Sequence, residues 1–361
     1  MTTMTSSEVD LPNSLPAPGP GRSSVLKVIW DLRYHNTLWI FLVLAGMIGV
    51  FSGLSPGAFA TVINMRSMAT DAAAFVVMGI GATYVIVTAG IDLSCGSVLV
   101  FSGVVSAEAM NGIRGVGGSG LQSVSQTSAS WEVLLFGLVV ALAGGLGWGL
   151  FNGLLVAFTE VPPLIVTLGS FGMALGAAQL ITGGTDLTNI PSNLSSSIGN
   201  GSIGGIPWLV LIAVAIALVG GVALGQTPFG RHTYAIGSNV ESARRAGIRV
   251  RAHLVHVYLL AGLLAGLAGY LNLARFSTTT INGHTTDNLS VIAGVVLGGT
   301  SLFGGSGSIF GSSVGILIPV VLAAGFVITG VVPFWQEIAV GAVLITAVYL
   351  DISGRRSRLA R

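Results

Sequence analysis

Ten apolar runs, each without charge in its middle, divide most of this chain. They are Leu38–Leu54, Ala72–Ala89, Gly96–Met110, Val133–Phe158, Leu164–Ile181, Trp208–Leu224, Leu254–Leu273, Leu289–Leu297, Ile309–Ile328 and Phe334–Leu350. A helix needs about 20 apolar residues to cross the hydrocarbon core of a bilayer, and most of the runs approach that length. Charged residues make up only 8% of the 361, against about 25% in a soluble domain. So little charge leaves the surface to be covered by lipid. The sequence therefore predicts an all-α integral membrane protein of about ten transmembrane helices, two of them short or broken. It divides into a polar cytoplasmic N-terminal tail (1–37), a transmembrane domain (38–351) and a basic cytoplasmic C-terminal tail (352–361). Leu38–Leu54 follows a long polar lead and lacks a small-residue cleavage site, so it reads as the first membrane helix and not as a signal peptide.

The two short runs are Gly96–Met110 and Leu289–Leu297. Each adjoins a Gly- and Ser-rich break, GIDLSCGS at Gly90–Ser97 and GGTSLFGGSGS at Gly298–Ser308. Irregular backbone at membrane depth must be shielded from lipid, and such breaks often line a cavity. The alternative is two slightly short helices. In the first break Asp92 or Ser94 is placed to cap the next helix, or the break faces a solute path; both readings stand. Gly145, Gly149 and Gly153, and again Gly307, Gly311 and Gly315, recur every fourth residue. That spacing makes one helical stripe along which two backbones approach closely.

Basic residues orient the spans. Arg22, Lys27 and Arg33 precede the first run; Arg231, Arg244, Arg245, Arg249 and Arg251 lie between the sixth and seventh; Arg355, Arg356, Arg358 and Arg361 follow the last. These are twelve of the fifteen Lys and Arg residues, leaving Arg66, Arg114 and Arg275 for the other side. The bias predicts that both termini and the loop between runs six and seven are cytoplasmic.

Several chemistries are excluded or disfavoured. A phosphate-binding loop of the GxxxxGK[ST] type needs a lysine. The single lysine, Lys27, stands between Leu26 and Val28, so the chain carries no such loop. The runs hold no Asp, Glu, Lys or Arg in their middles, which weighs against a proton-driven carrier or voltage sensor. A sodium site built of carbonyls and hydroxyls is left open. His232, His253 and His256 have no cysteine or acidic partner at ligand spacing, and no nucleophile–His–acid pattern stands out. One cysteine, Cys95, forms no internal disulfide, and a net charge of +2 gives no reason to expect nucleic acid. The polar groups within runs are neutral: Tyr84, Thr88, Asn152, Thr167, Gln179, Tyr258 and Asn272. They suit the passage of an uncharged polyhydroxyl solute, or they bond neighbouring helices.

Four stretches resemble the permease subunits of bacterial ATP-binding-cassette sugar importers of the ribose/xylose/galactoside type. They are VMGIGATYVIVTAGIDLSCGSVLVFSG, GLFNGLLVAFTEVPPLIVTLGSFGMALGAAQLITGG, TPFGRHTYAIGSNVESARRAGIRV and AGVVLGGTSLFGGSGSIFGSSVG. The resemblance runs from about Ser55 to Asp351 and extends more weakly to branched-chain amino acid permeases. It implies a non-enzymatic subunit without its own cofactor, paired with an ATPase subunit that uses ATP and Mg. It also implies an extracytoplasmic solute-binding protein, a second permease copy and a location in the bacterial inner membrane. Asn239–Val250 corresponds to the coupling helix that docks on the ATPase. There Ser238 or Asn239 can cap a short helix, Gly247 is a stop, and Glu241, Ala243, Arg244 and Ile248 complete the segment. Ser242 departs from the broader Glu-Ala-Ala…Gly pattern. The candidate solute path comprises Asp92, Ser94, Asn152, Thr167, Gly298, Gly299, Thr300 and Ser301. The cargo implied is a monosaccharide. The alternatives are import of an amino acid or nucleoside by the same mechanism, or an ion- or gradient-coupled carrier.

Overall fold

A computed structural model describes residues 36–115, 128–281, 283–284, 286–332 and 334–359. Most of the N-terminal tail and part of the segment between the third and fourth runs lie outside the described residues. The helices are α1 (Asn36–Leu54), α2 (Val62–Val87), α3 (Cys95–Ile113), α4 (Trp131–Phe158), α5 (Pro163–Thr182), α6 (Trp208–Gln226), α7 (Pro228–Ser238), α8 (Val240–Arg245), α9 (Val250–Phe276), α10 (Asp287–Leu297), α11 (Ile309–Ile328) and α12 (Phe334–Leu359). A π-helical turn, Leu194–Gly199, and a two-residue antiparallel ribbon, Ser202–Ile203 with Ile206–Pro207, join α5 to α6.

Each of the ten apolar runs falls on a helix. Among the described residues, 7 helices are long and apolar enough to cross a membrane. Trp39–Leu54, Asp287–Leu297 and Phe334–Thr346 are shorter apolar helical stretches. The third run is a correction: α3 has 19 residues and is not short. Its first and last turns carry Cys95, Asn111 and Gly112, which interrupt the apolar pattern without interrupting the helix. α10, at 11 residues, is short as expected. Charge also enters the helices near their ends. Glu108 lies in the last turns of α3, and Asp71 near the start of α2 pairs with Arg275 near the end of α9 at 2.7 Å. Arg275 also donates to Ser67 Oγ at 2.8 Å, tying the two helix ends together. The last helix continues to Leu359, so Arg355, Arg356 and Arg358 extend it.

α2 and α9 form the centre, with Met78, Ile80, Tyr84, Ile86 and Tyr258 fully buried. α4 and α6 turn leucines and valines outward: Leu135, Val139 and Leu150 on one, Leu218, Val219 and Val222 on the other. An apolar surface of this kind is what a lipid environment requires. The glycine stripes do what their spacing predicts except at Gly307, which precedes α11 and takes φ +157° in the Gly298–Ser308 break, so it is not on the helical stripe. Gly145, Gly149 and Gly153 of α4 lie against α9, where Gly262 and Gly266 face them. A Cβ on Gly262 would stand 2.6 Å from Gly149 Cα and 2.7 Å from its nitrogen. Gly311 and Gly315 of α11 meet Gly298 and Gly294 of α10 in the same way.

The contact is backbone on backbone, so neither side has a flexible atom to yield. Gly262→Ala is therefore expected to destabilise the purified protein by about 1–3 kcal/mol, the usual cost of overpacking. Gly147→Ala, on the open face of α4 with nothing within 4 Å, should be neutral or slightly stabilising. Thermal unfolding of the two variants in one detergent compares them directly.

Candidate functional site

Two helices begin inside the bundle. α3 runs beside α9, with Gly103 opposite Gly269 and Leu273. Its first residue, Cys95, two turns earlier, therefore lies next to the middle of α9. α10 runs antiparallel to α11, with Gly298 on Gly311 and Ser312, and Gly294 on Ile316. Asp287 thus starts partway along α11. The two N-termini meet. A Cβ on Gly96 would stand 2.8 Å from His284 O and 3.6 Å from Asn288 N, and Asn288 Nδ2 donates to Leu93 O at 2.9 Å. Helix N-termini carry unpaired N–H groups and the positive end of the helix dipole. Here two of them converge on one buried place.

The break before α3 supplies acceptors. Asp92 Oδ1 accepts from Ser94 N–H at 2.8 Å and from Ser94 Oγ at 2.6 Å. Ser94 is the N-cap residue of α3, yet its side chain makes no capping bond. Asp92 holds the cap residue itself, so neither residue caps α3 in the expected way. The bond network then crosses to two more helices. Asn152 Nδ2 donates to Ser94 Oγ at 2.9 Å, and Ser170 Oγ contacts Asn152 Oδ1. Thr167 Oγ1 donates to Ile91 O at 3.1 Å. Asp92, Ser94, Asn152, Thr167 and Ser170 are all buried. Ser170 also borders a cleft of about 280 Å³ between α4 and α5, lined by Phe151, Leu155, Ile165 and Met173.

The structure does not bring Gly298, Gly299, Thr300 and Ser301 into this network. They form the turn at the far end of α10, about 16 Å away along its axis at 1.5 Å per residue. There Thr300 Oγ1 lies 3.0 Å from Ser312 Oγ, and Gly299 takes φ +89°. This second break abuts two other chain segments. Gly305 N–H donates to Val87 O at 2.9 Å. Tyr234 OH donates to Gly307 O at 2.7 Å. Gly237 sits so close to Val87 and Gly305 that no Cβ fits.

α7 leads directly into the 239–248 segment. Asn239 caps α8, its Oδ1 accepting from Ser242 N–H at 2.8 Å. Gly247 ends it at φ +84°, where Gly247 N–H donates to Arg244 O and Ile248 N–H to Ala243 O. This pairing with a left-handed glycine is a helix stop. Ala243, Ile236 and Val250 form a small core beneath, with Ile248 packed on it. Glu241 faces outward and pairs with Arg244 and Arg245 at 3.3 Å each. Beside it, His253 and His256 lie on one side of the start of α9. With Phe229, His232 and Arg249 they line a cleft of about 470 Å³.

Sequence reasoning missed several groups. His284 Nδ1 contacts Asp287 Oδ2, while its Nε2 takes Thr280 Oγ1 at 2.7 Å and Asn272 Nδ2 at 2.8 Å. Asp186 Oδ1 accepts from Ile281 N–H at 2.6 Å. These bonds fix the segment that carries the chain to the start of α10. Asn288 and Ser170 were missed as well. A signal existed for the first set: an acid, an amide and a histidine within five residues, immediately before the shortest apolar run.

Apolar outer faces enclose a buried polar junction where two helices begin, and among the described residues no group of three or more His, Cys, Asp or Glu is placed to hold a metal. The class so defined is a multi-pass membrane permease. The chain belongs to the family described as branched-chain amino acid transport system / permease component, whose model matches residues 64–348. Among its relatives is the ribose import permease protein of Bacillus subtilis, 35% identical, with 86% of this chain and 91% of the relative covered. The D-allose transport system permease protein of Escherichia coli is 31% identical over 90% of this chain and 92% of the relative. The galactose/methyl galactoside import permease protein of Salmonella typhimurium is 30% identical over 86% and 93%. The resemblance to sugar-importer permeases is therefore upheld. No solved structure matches the chain.

Proposed function

We propose that this chain is the membrane-spanning subunit of an ATP-binding-cassette importer and passes a monosaccharide into the cell. The observation that carries the reading is the contact of α7, which leads straight into the 239–248 segment, with the end of α2 and with the second break. α7 ends at Ser238, where Asn239 caps α8, and Gly237 is wedged between Val87 and Gly305. A partner that displaces α8 therefore pushes on the end of α2 and on the turn after α10 together. The end of α2 leads into the break before α3, and the turn after α10 is the second break. The partner is an ATPase subunit, which holds the ATP and Mg; this chain performs no chemistry. A binding protein delivers solute from outside, a second copy of the chain pairs with the first, and both termini lie on the cytoplasmic side of the inner membrane. The ribose, allose and galactose named for the relatives are all monosaccharides. The neutral groups Ser94, Asn152, Thr167 and Ser170 suit such a cargo, because hydroxyls need hydrogen-bond partners and no countercharge.

The test is reconstitution. Proteoliposomes holding the chain with its cognate ATPase and binding protein are expected to take up at least one of D-ribose, D-allose and D-galactose when ATP is supplied. The chain alone is expected to take up none of them on a proton or sodium gradient. Gradient-driven uptake by the chain alone would replace this reading with the secondary-carrier alternative.

A further inference from the structure

Tyr258 stands out because its hydroxyl is buried and has no hydrogen-bond partner among the described residues. Its side chain is 1% exposed. The backbone around it is held by the α4–α9 seam, where a Cβ on Gly149 would stand 2.5 Å from Tyr258 O and one on Gly153 would stand 3.2 Å from Tyr258 Cβ. The ring is thereby aimed at the first break. A Cβ on Gly90 would lie 2.9 Å from the hydroxyl, and Asp92 follows two residues later in the same break. An unpaired buried hydroxyl costs about 1–3 kcal/mol, and phenylalanine would fill the same volume without that cost. The hydroxyl therefore serves something other than stability in this closed arrangement.

Its surroundings indicate what that is. Asp92 and the Ser94–Asn152 pair lie in and beside the break, and α3 and α10 start next to it with their N–H groups. An acceptor carboxylate, neutral hydroxyl and amide groups and two helix N-termini form a set that recognises a polyhydroxyl, uncharged molecule. We propose that Tyr258, with Asp92, is a subsite for a solute hydroxyl on the transport path, an inference that rests on the permease reading. Asp92 is 6% exposed, so solute reaches the subsite only when the Gly90–Asp92 backbone moves away from α9. Gly237 packs on Val87, which ends α2 three residues before Gly90, so a movement of α7 acts on that same backbone. In the closed arrangement the hydroxyl waits without a partner; during passage it holds one.

Tyr258→Phe in the complete transporter tests this. The binding protein captures solute before the path does, so the variant is expected to lower the maximal uptake rate about tenfold, the effect of one lost hydrogen bond in the path. ATPase co-purification should be unchanged. Thermal stability should be equal or higher, which a merely structural role would not produce. Wild-type uptake by Tyr258→Phe overturns the subsite, as does a loss of uptake accompanied by lowered stability. A second variant probes the geometry. Gly90→Ala, which crowds the hydroxyl, should reduce uptake in the wild-type background and reduce it less when combined with Tyr258→Phe. Independent losses would separate the hydroxyl from the break and sink the subsite. If the wild-type transporter itself shows no ATP-dependent uptake, the permease reading fails before the variants are compared.

Discussion

Gly247→Pro is expected to release the ATPase subunit from the membrane and abolish sugar uptake at unchanged abundance of this chain. Two properties of the residue are lost together. Gly247 sits at φ +84°, whereas proline is fixed near −65°. Its N–H donates to Arg244 O at 3.0 Å, and proline has none to give. The stop that directs Ile248 back onto Ala243 cannot then form, and α8 loses its orientation. Glu241→Lys keeps the backbone but removes the outward pairs to Arg244 and Arg245 at 3.3 Å. It is expected to weaken ATPase recovery as well, through local charge and not through stability, since exposed pairs contribute only about 0–1 kcal/mol. Arg358→Gln, near the end of α12, should leave both readouts near wild type. Co-purification of the ATPase and sugar uptake, measured at matched expression, decide between docking and a loop that only sets orientation. Full ATPase recovery with normal uptake in Gly247→Pro and Glu241→Lys would remove the docking role from this segment.

Particular residues show how far the sequence carries. Apolar runs and four-residue glycine spacing are local patterns. They located ten of the twelve described helices and the faces on which α4 and α11 pack closely, because close backbone approach leaves a mark in residue size; α7 carries no such mark. The stop at Gly247 was legible because it is decided within a few residues, and the cap was legible to within one residue: of Ser238 and Asn239, Ser238 ends α7 and Asn239 is the cap. The length of α3 was not legible. Its last turns hold Glu108, Asn111 and Gly112, and the helix tolerates them where α3 outruns the apolar stretch. The start of α2 at Val62 was hidden by Arg66 and Asp71, and the latter is satisfied by Arg275 some 200 positions away in the chain. Nothing local announces such a partner. The meeting of α3 with α10 is of the same kind. GIDLSCGS and the His284–Asn288 segment each look like a loop, and only tertiary contact turns them into facing helix starts. For Asp92 the sequence leaves open a helix cap, the commonest use of such a residue before a helix, and a place on the solute path; the observed bonds to Ser94 show that it does not cap α3. Gly298–Ser301 were grouped with it on the likeness of two glycine-rich breaks. The break is at the opposite end of α10, where it meets the segment leading to α8.

That difference between the two breaks makes Gly96 the position where a single substitution should do most to the path. Gly96 opens α3 at the point of contact with the second helix start. A Cβ there would already lie 2.8 Å from His284 O, a backbone atom that has no side-chain freedom to yield. His284 is also held by Thr280, Asn272 and Asp287, so the opposing segment is fixed from its other side. Leucine cannot be accommodated unless α3 and α10 separate, and separation breaks the Asn288–Leu93 bond of 2.9 Å that joins them. The apolar runs are untouched, so insertion into the membrane should proceed as in the wild type. The expected result for Gly96→Leu is normal membrane abundance and normal ATPase co-purification, with uptake reduced about a hundredfold or more, as for a misplaced binding constellation. Gly46→Leu, on a helix face with nothing within 4 Å of the added carbon, provides the size-matched control and should transport normally. Wild-type uptake by Gly96→Leu would mean that solute passes elsewhere, and the junction of the two helix starts would then be structural alone.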